Sequence, residues 1–264
     1  MTARLLHVSD FHVKRPQSVE PLEALRELSA DVEPTVVVAT GDLAHRGRLS
    51  ELEHAAEALR SLERPLLAVP GNHDIPYTYM RFVRPFALWR LVFGDTEPVF
   101  QTDGLLVVGL NSVRPRRQQS GALSDAQLTR ARRQLAEAAD TFKVVVFHHH
   151  VASAPWRATN KLPVSRRDVV LQELARAGAD LILGGHVHQA AVAERREFDV
   201  FDERVERTIV LATAPGLGRP RPRRRGEAQG VNVYDIEPSS LTITTYAWNG
   251  NAFAATGQRT FPRG

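Results

Sequence analysis

Val69-Pro70-Gly71-Asn72-His73-Asp74 continues the apolar run Leu66-Leu67-Ala68. The run reads as a buried strand, and Pro70-Gly71 ends it with strong turn chemistry. An amide, an imidazole and a carboxylate then follow one another at a strand's carboxyl end, where open α/β sheets place their chemistry. Three side chains with different donor and acceptor properties on one tight turn suit metal and phosphate handling. Their partners should come from other strand ends.

Upstream, the β-branched run Thr35–Ala39 lies between Pro34 and Gly41 and predicts a buried strand that delivers Asp42. Arg4–Val8 predicts another, ending at Ser9-Asp10-Phe11-His12. Residues two apart on an extended segment share a face, so Asp10 and His12 point at one spot. Helical spacing runs over Val19–Ala30 and Leu49–Leu62. The first 74 residues therefore read strand–helix–strand–helix–strand, an α/β pattern with a mostly parallel sheet.

Downstream, Tyr77–Phe93 reads as helix interrupted near Pro85, and Leu105–Leu110 as a strand ending at Asn111. Ser124-Asp125-Ala126-Gln127 fits a capping box opening a helix to about Ala138. Lys143–Phe147 is a strand ending at His148-His149-His150. Arg166–Ala177 is helical, and the strand Asp180–Leu183 ends at Gly184-Gly185-His186-Val187-His188. Thr208–Ala212, Val231–Ile236 and Leu241–Ala247 read as strands without intervening helices, which suggests an antiparallel second sheet or edge. No internal repeat is visible. The chain reads as one domain over residues 1–264, with its motifs between residues 4 and 190 and a β-rich part over 205–250.

With 264 residues, 43% hydrophobic and 24% charged, the composition is that of a soluble globular protein. The absence of cysteine excludes disulfides, zinc–thiolate sites and iron–sulfur clusters, leaving His, Asp, Asn and Glu as metal ligands. No apolar stretch has the length of a signal sequence or a membrane span, so a cytoplasmic location is expected. Much of the net charge of +4 comes from Arg219–Arg225, whose alternating prolines favour a solvated loop over a polyanion site.

Of the ten histidines, His12, His73, His148, His149, His186 and His188 sit just past strand ends, with His150 beside them. Singly, each has an ordinary explanation: Asp10 as a loop cap, Asp42 as a turn residue, a lone His-x-His as chance. Jointly, five strand ends gather carboxylates, imidazoles or an amide. His7 reads as a satisfied core residue and His54 as an exposed helix residue, while His45, close after Asp42, reads as a solvent-facing loop residue with lining of the pocket the less favoured alternative. Asn111 suits a strand-end turn or a supporting contact equally well. Mixed carboxylate, amide and imidazole donors suit Mn, Fe, Zn or Co better than Ca. The donors are too many for one tetrahedral ion, and Asp42 has two oxygens with which to bridge two. Two ions about 4 Å apart hold a bridging hydroxide and clamp a phosphoryl group, and no serine or cysteine nucleophile is then required.

Asp10-x-His12, Gly41-Asp42, Gly71-Asn72-His73-Asp74, the histidine after Val144–Phe147 and Gly185-His186-x-His188 resemble, in order, the five signature blocks of the calcineurin-like metallophosphoesterase superfamily. The resemblance implies an α/β fold, a four-layer α/β/β/α sandwich of two mixed sheets with a dinuclear centre (Mn, Fe or Zn) at its upper edge. Carried over position by position, Asp10, His12 and His188 would hold one metal, and Asn72, His148 and His186 the other. Asp42 would bridge them. His148 is chosen as the first imidazole after its strand, with His149 the alternative; Val151-Ala152 stand where the family commonly has a proline. His73 would contact phosphate and protonate the leaving oxygen, with Asp74 orienting it. The chain looks most like the bacterial cyclic-nucleotide phosphodiesterase branch, which implies a small phosphodiester substrate, cyclic nucleotides and monoesters included, cleaved by the bridging hydroxide. A DNA nuclease and a non-enzymatic scaffold of the same fold are the alternatives. The first lacks a capping domain here, and the second would be expected to have lost ligands.

Overall fold

Two six-stranded sheets pack face to face, because their central strands are apolar on both sides and must be covered twice. The computed structural model describes residues 2–14, 20–117, 119–151, 161–197, 207–218 and 229–263. In chain order these form β1 (Ala3–Val8), α1 (Glu20–Val32), β2 (Val36–Ala39), α2 (Leu49–Arg60), β3 (Leu66–Ala68), α3 (Met80–Val83), α4 (Ala87–Phe93), β4 (Val99–Thr102) and β5 (Leu105–Gly109). Then come α5 (Asp125–Glu137), β6 (Phe142–Val146), α6 (Arg167–Arg176), β7 (Leu181–Gly184), β8 (Ala191–Glu197), β9 (Arg207–Thr213), β10 (Gly230–Ile236), β11 (Ser240–Trp248) and β12 (Phe253–Pro262).

The first sheet runs β12-β11-β10-β1-β2-β3 and the second β4-β5-β6-β7-β9-β8. Leu5, Val36, Val38 and Leu67 of the first meet Val107, Val144, Leu181 and Leu183 of the second in a shared core. The opposite face of the first sheet, with Leu6, Val8 and Val37, is covered by Leu25, Leu52, Leu59 and Trp89 from α1, α2 and α4. That of the second, with Leu106, Val108 and Val145, is covered by Leu128, Leu135, Val170 and Leu174 from α5 and α6. The layer order is therefore α/β/β/α. Each fully buried leucine contributes about 1.5–3 kcal/mol relative to exposure.

Both sheets are mixed, which corrects the mostly parallel arrangement expected from the first 74 residues. Parallel pairing joins β1, β2 and β3, but β10 lies antiparallel to β1 and carries β11 and β12 outward. The three late strands do not form one antiparallel unit either: β9 pairs parallel with β7 in the second sheet. The spacing of the sequence overlooked β4, β8 and β12, three of the four described edge strands; the fourth, β3, is apolar and was read. Two of these edges carry polar and charged residues, Gln101 in β4 and Gln258 and Arg259 in β12, which block further pairing and erase the apolar alternation.

Local signals elsewhere hold. Ser124 caps α5, its hydroxyl accepting from the Gln127 N–H while the Gln127 side chain returns to the Ser124 N–H at 2.8 Å. Ser124→Ala is expected to destabilise the fold by about 1 kcal/mol in urea unfolding, without shifting the slope of the transition. His7 is fully buried in β1, with its ring nitrogens 3.0 Å from the Tyr234 hydroxyl and from Thr40 Oγ1. Burial pushes its pKa down to about 3. Among the described residues no helix is long and apolar enough to cross a membrane. The Arg219–Arg225 run lies outside the described residues.

Candidate metal centre

The carboxyl ends of β1, β2 and β3 in one sheet and of β6 and β7 in the other open onto the same edge of the sandwich. Backbone bonds stitch their loops together: Asp10 N–H to the Gly41 carbonyl (2.9 Å), His12 N–H to the Asp42 carbonyl (2.9 Å) and Gly185 N–H to the His148 carbonyl (2.9 Å). Gly71 lets the β3 loop press on the β2 loop, because a Cβ there would collide with the Asp42 backbone and carboxylate. Nine described non-glycine residues have positive φ, and Asp10, His12, Asp42, His186 and His188 are five of them. Strain of this kind, about 1–3 kcal/mol each, persists where the surroundings force a side chain into a functional direction.

All seven residues expected as ligands converge there. In a first group, Asp10 Oδ1 lies 3.2 Å from His188 Nε2 and 3.8 Å from His12 Nε2, and the two imidazole nitrogens are 3.2 Å apart. In a second, His148 Nε2 faces Asn72 Oδ1 at 3.2 Å, His186 Nδ1 at 3.1 Å and Asp42 Oδ1 at 3.4 Å. Asp42 stands between them, with Oδ2 3.8 Å from His12 Nε2. His148 Nδ1 donates to the Thr40 carbonyl at 2.6 Å, which aims Nε2 at the second group. Asp10, Asp42, Asn72, His148, His186 and His188 are buried, while His12 and His73 are half-buried and form the open side.

Asp10 Oδ1, Asp42 Oδ2 and His186 Nε2 are buried without a hydrogen-bond partner. Such orphans are costly unless a cation satisfies them. Burial works to raise Asp10 and Asp42, but the imidazoles of His188 and His148 outweigh it and hold both carboxyls well below the usual range. Burial pushes His12 down to about 3 and His186 well below its ordinary value. For His148, burial is outweighed by the Asp42 charge, which pushes it up to about 9. Hard oxygens, imidazole nitrogens and orphaned buried donors on one edge fit divalent cations, with His148 giving up its proton on binding.

Two expectations change at this point. Asp74 does not touch the His73 ring: its two oxygens accept the Ala44 and Gly71 N–H groups, both at 2.7 Å, so it braces the turn. His73 is oriented instead by the His45 carbonyl, which accepts from Nδ1 at 2.8 Å. His45, read as a solvent-facing residue, lines the site, its ring 6.0 Å from that of His73 and 6.3 Å from that of His12. Of the alternatives after β6, His148 faces Asn72 and Asp42, whereas His149 Nδ1 is paired with Ser112 Oγ at 2.8 Å. Asn111 makes the strand-end turn, its Oδ1 accepting from Val113 N–H. The supporting role of Thr40 escaped the motifs because it works through a backbone carbonyl; its place just before Gly41-Asp42 was the available signal.

The chain is similar to 3',5'-cyclic adenosine monophosphate phosphodiesterase CpdA of Escherichia coli K12, at 29% identity over 174 residues covering 64% of this chain. It spans 58% of that relative's length. It is 27% identical to a probable cyclic nucleotide phosphodiesterase of Rhodopseudomonas palustris, over 69% of this chain and 70% of that one. Purple acid phosphatase PPD1 from yellow lupin seeds shares the fold, with a TM-score of 0.71 and 12% identity over all of this chain and 54% of its own. The stretch that carries all five strand-end loops, residues 3–190, matches the family model for calcineurin-like phosphoesterases, and the chain belongs to that family.

Proposed function

We propose that this chain is a metal-dependent phosphodiesterase acting on small diesters, 3',5'-cyclic nucleotides among them. The observation that carries the reading is the buried convergence of seven donors from five strand ends around orphaned carboxylate oxygens. Asp10, His12 and His188 would hold one ion, Asn72, His148 and His186 the other, and Asp42 both. Bound there, the ions supply Lewis-acid activation of water near neutral pH and draw charge from the phosphoryl oxygens. The residues around them do the rest. The buried donors exclude bulk water from the inner side, and the half-buried His12 and His73 mark the side on which the diester lies. His73 has Nδ1 tied to the His45 carbonyl, so Nε2 is the nitrogen left to give a proton to the departing alkoxide as its bond to phosphorus breaks. The oxygen of water becomes bonded to phosphorus as the P–O bond to the alkoxide breaks: an open diester gives a phosphomonoester and an alcohol, and a cyclic nucleotide gives one ring-opened nucleoside monophosphate.

The test is a substrate panel with Mn-loaded protein: a bis-aryl phosphodiester, an aryl monoester, cyclic AMP and single-stranded DNA, with Asn72→Ala as the control. Turnover of the diesters by wild type and its loss in the variant support the reading. Equal, negligible turnover by both overturns it and favours a scaffold.

A ligand imidazole must be neutral. With His148 raised to about 9, the chain alone carries a proton on it at pH 7.5. Loading with Mn at that pH is therefore expected to release about one proton, and the apparent affinity should rise with pH up to about 9. Calorimetry in two buffers of different ionisation enthalpy measures the release; equal heats in both would refute it.

A further inference from the structure

Tyr77 is none of the seven donors, yet it stands beside them. Its ring is 5.6 Å from that of His73, and the His73 ring is 4.7 Å from that of His12. One face of Tyr77 is backed by the guanidinium of Arg81, 5.6 Å from the ring centroid. Arg81 is only 6% exposed, and it donates through Nε to the Pro115 carbonyl at 2.6 Å, so the backing is fixed. Tyr77 itself is 46% exposed. An aromatic ring pinned on one side and open on the other has more apolar surface in water than its neighbours need. The loop that Arg81 grips, with Pro115 and Arg116, also lines an open groove of about 380 Å³ together with Phe82.

We propose that the open face of Tyr77 is a stacking platform for the nucleobase of the phosphodiester substrate. This rests on the phosphodiesterase reading of the adjoining site and names the part of the substrate that the site selects. With its ring 5.6 Å from that of His73, Tyr77 is within reach of the base of a nucleotide whose phosphate is held at His12 and His73. A base meets an aromatic face whatever its hydrogen-bonding edge, so the platform selects nucleotides over ringless diesters and discriminates weakly between bases. The cation behind the ring strengthens the stack. The competing role is a structural one. The Tyr77 hydroxyl is 3.1 Å from His73 Nδ1, and through it Tyr77 could merely position that imidazole.

The experiment separates ring from hydroxyl. Specificity is read as kcat/KM for cyclic AMP divided by kcat/KM for glycerophosphoethanolamine, a diester without a ring. Tyr77→Ala is expected to lower this ratio ten-fold or more, mainly through KM for the cyclic nucleotide. Tyr77→Phe, which keeps the ring, should stay within two-fold of wild type. Binding of a fluorescent N-methylanthraniloyl cyclic nucleotide, followed by anisotropy, should weaken by a similar factor in the alanine variant alone. A ratio unchanged in Tyr77→Ala, or lowered equally in Tyr77→Phe, overturns the platform. Wild-type protein that binds the cyclic nucleotide through Tyr77 but cleaves no diester overturns the phosphodiesterase reading and leaves the platform standing. Thermal unfolding of both variants, expected within a few degrees of wild type for an exposed position, shows that the comparison is between folded proteins.

Discussion

Asp42→Ala is expected to lower phosphodiesterase activity about a thousand-fold, corresponding to about 4 kcal/mol of transition-state stabilisation. It should also reduce the bound metal from two ions to one or none. The carboxylate is fully buried between the two groups of donors: Oδ1 is 3.4 Å from His148 Nε2 and Oδ2 3.8 Å from His12 Nε2. Asp10, the other buried carboxylate, faces the imidazoles of the first group and meets the second through the backbone N–H of His186. Its removal leaves imidazole nitrogens facing one another with a single anion, Asp10, to balance any cation. Oδ1 also accepts the His73 N–H at 2.8 Å, so the alanine variant loosens His73 as well as the ions. Asp42→Asn separates the two effects. Asparagine keeps an acceptor for the His73 N–H and nearly the same volume, but not the charge. Metal content by elemental analysis and kcat on a bis-aryl diester should fall in both variants. An asparagine variant that keeps two ions and most of its activity would show that the bridge is not needed. The same variant carries an internal check. The raised pKa of His148 is due chiefly to Asp42, with Asp10 and the Thr40 carbonyl adding to it, so without that charge the proton released on metal loading at pH 7.5 should diminish.

Asp42 was also the easiest residue to read. A β-branched run followed by Gly-Asp states both the strand and the delivery of the carboxylate, and the same logic found Asp10, Asn72, His148 and His188. Strands with apolar faces and loops with left-handed turns are local properties, so they leave local marks. Polar edge strands leave weaker ones: the residues that keep β12 unpaired make it resemble a loop in sequence. Partners that act through the backbone leave none at all. Asp74 follows His73 directly and is a natural orienting carboxylate on paper, yet the turn directs it away toward the Ala44 and Gly71 N–H groups. The carbonyl that does the orienting belongs to His45, twenty-eight residues earlier. Sheet membership is equally invisible. Nothing in Thr208–Ala212 says that it pairs parallel with β7 while the next strand crosses to the other sheet.

Gly184 and Gly185 are adjacent and indistinguishable by composition, but their replacements should differ widely. A Cβ on Gly184 would meet the Phe147 carbonyl oxygen at 3.5 Å and the His150 Cα at 3.6 Å, ordinary contacts. A Cβ on Gly185 would fall on Ser9 Oγ and come within 2.8 Å of Asp10 Oδ2 and 2.9 Å of Thr40 Oγ1. None of these can retreat easily. Ser9 Oγ donates to Asp10 Oδ2 at 2.6 Å, and the same Oδ2 accepts the His186 N–H at 2.9 Å. Thr40 is fixed through its carbonyl to His148. An added methyl group at residue 185 therefore pushes the β7 loop away from β1, and with it His186 and His188. Gly185→Ala is expected to destabilise the protein by about 3 kcal/mol, at the upper end of overpacking costs, and to lower metal occupancy and activity together. Gly184→Ala should stay within about 1 kcal/mol and keep its metals. Urea unfolding and metal content measured on both variants decide the matter. Equal stability would mean that the two loops do not meet as closely as the seven donors require.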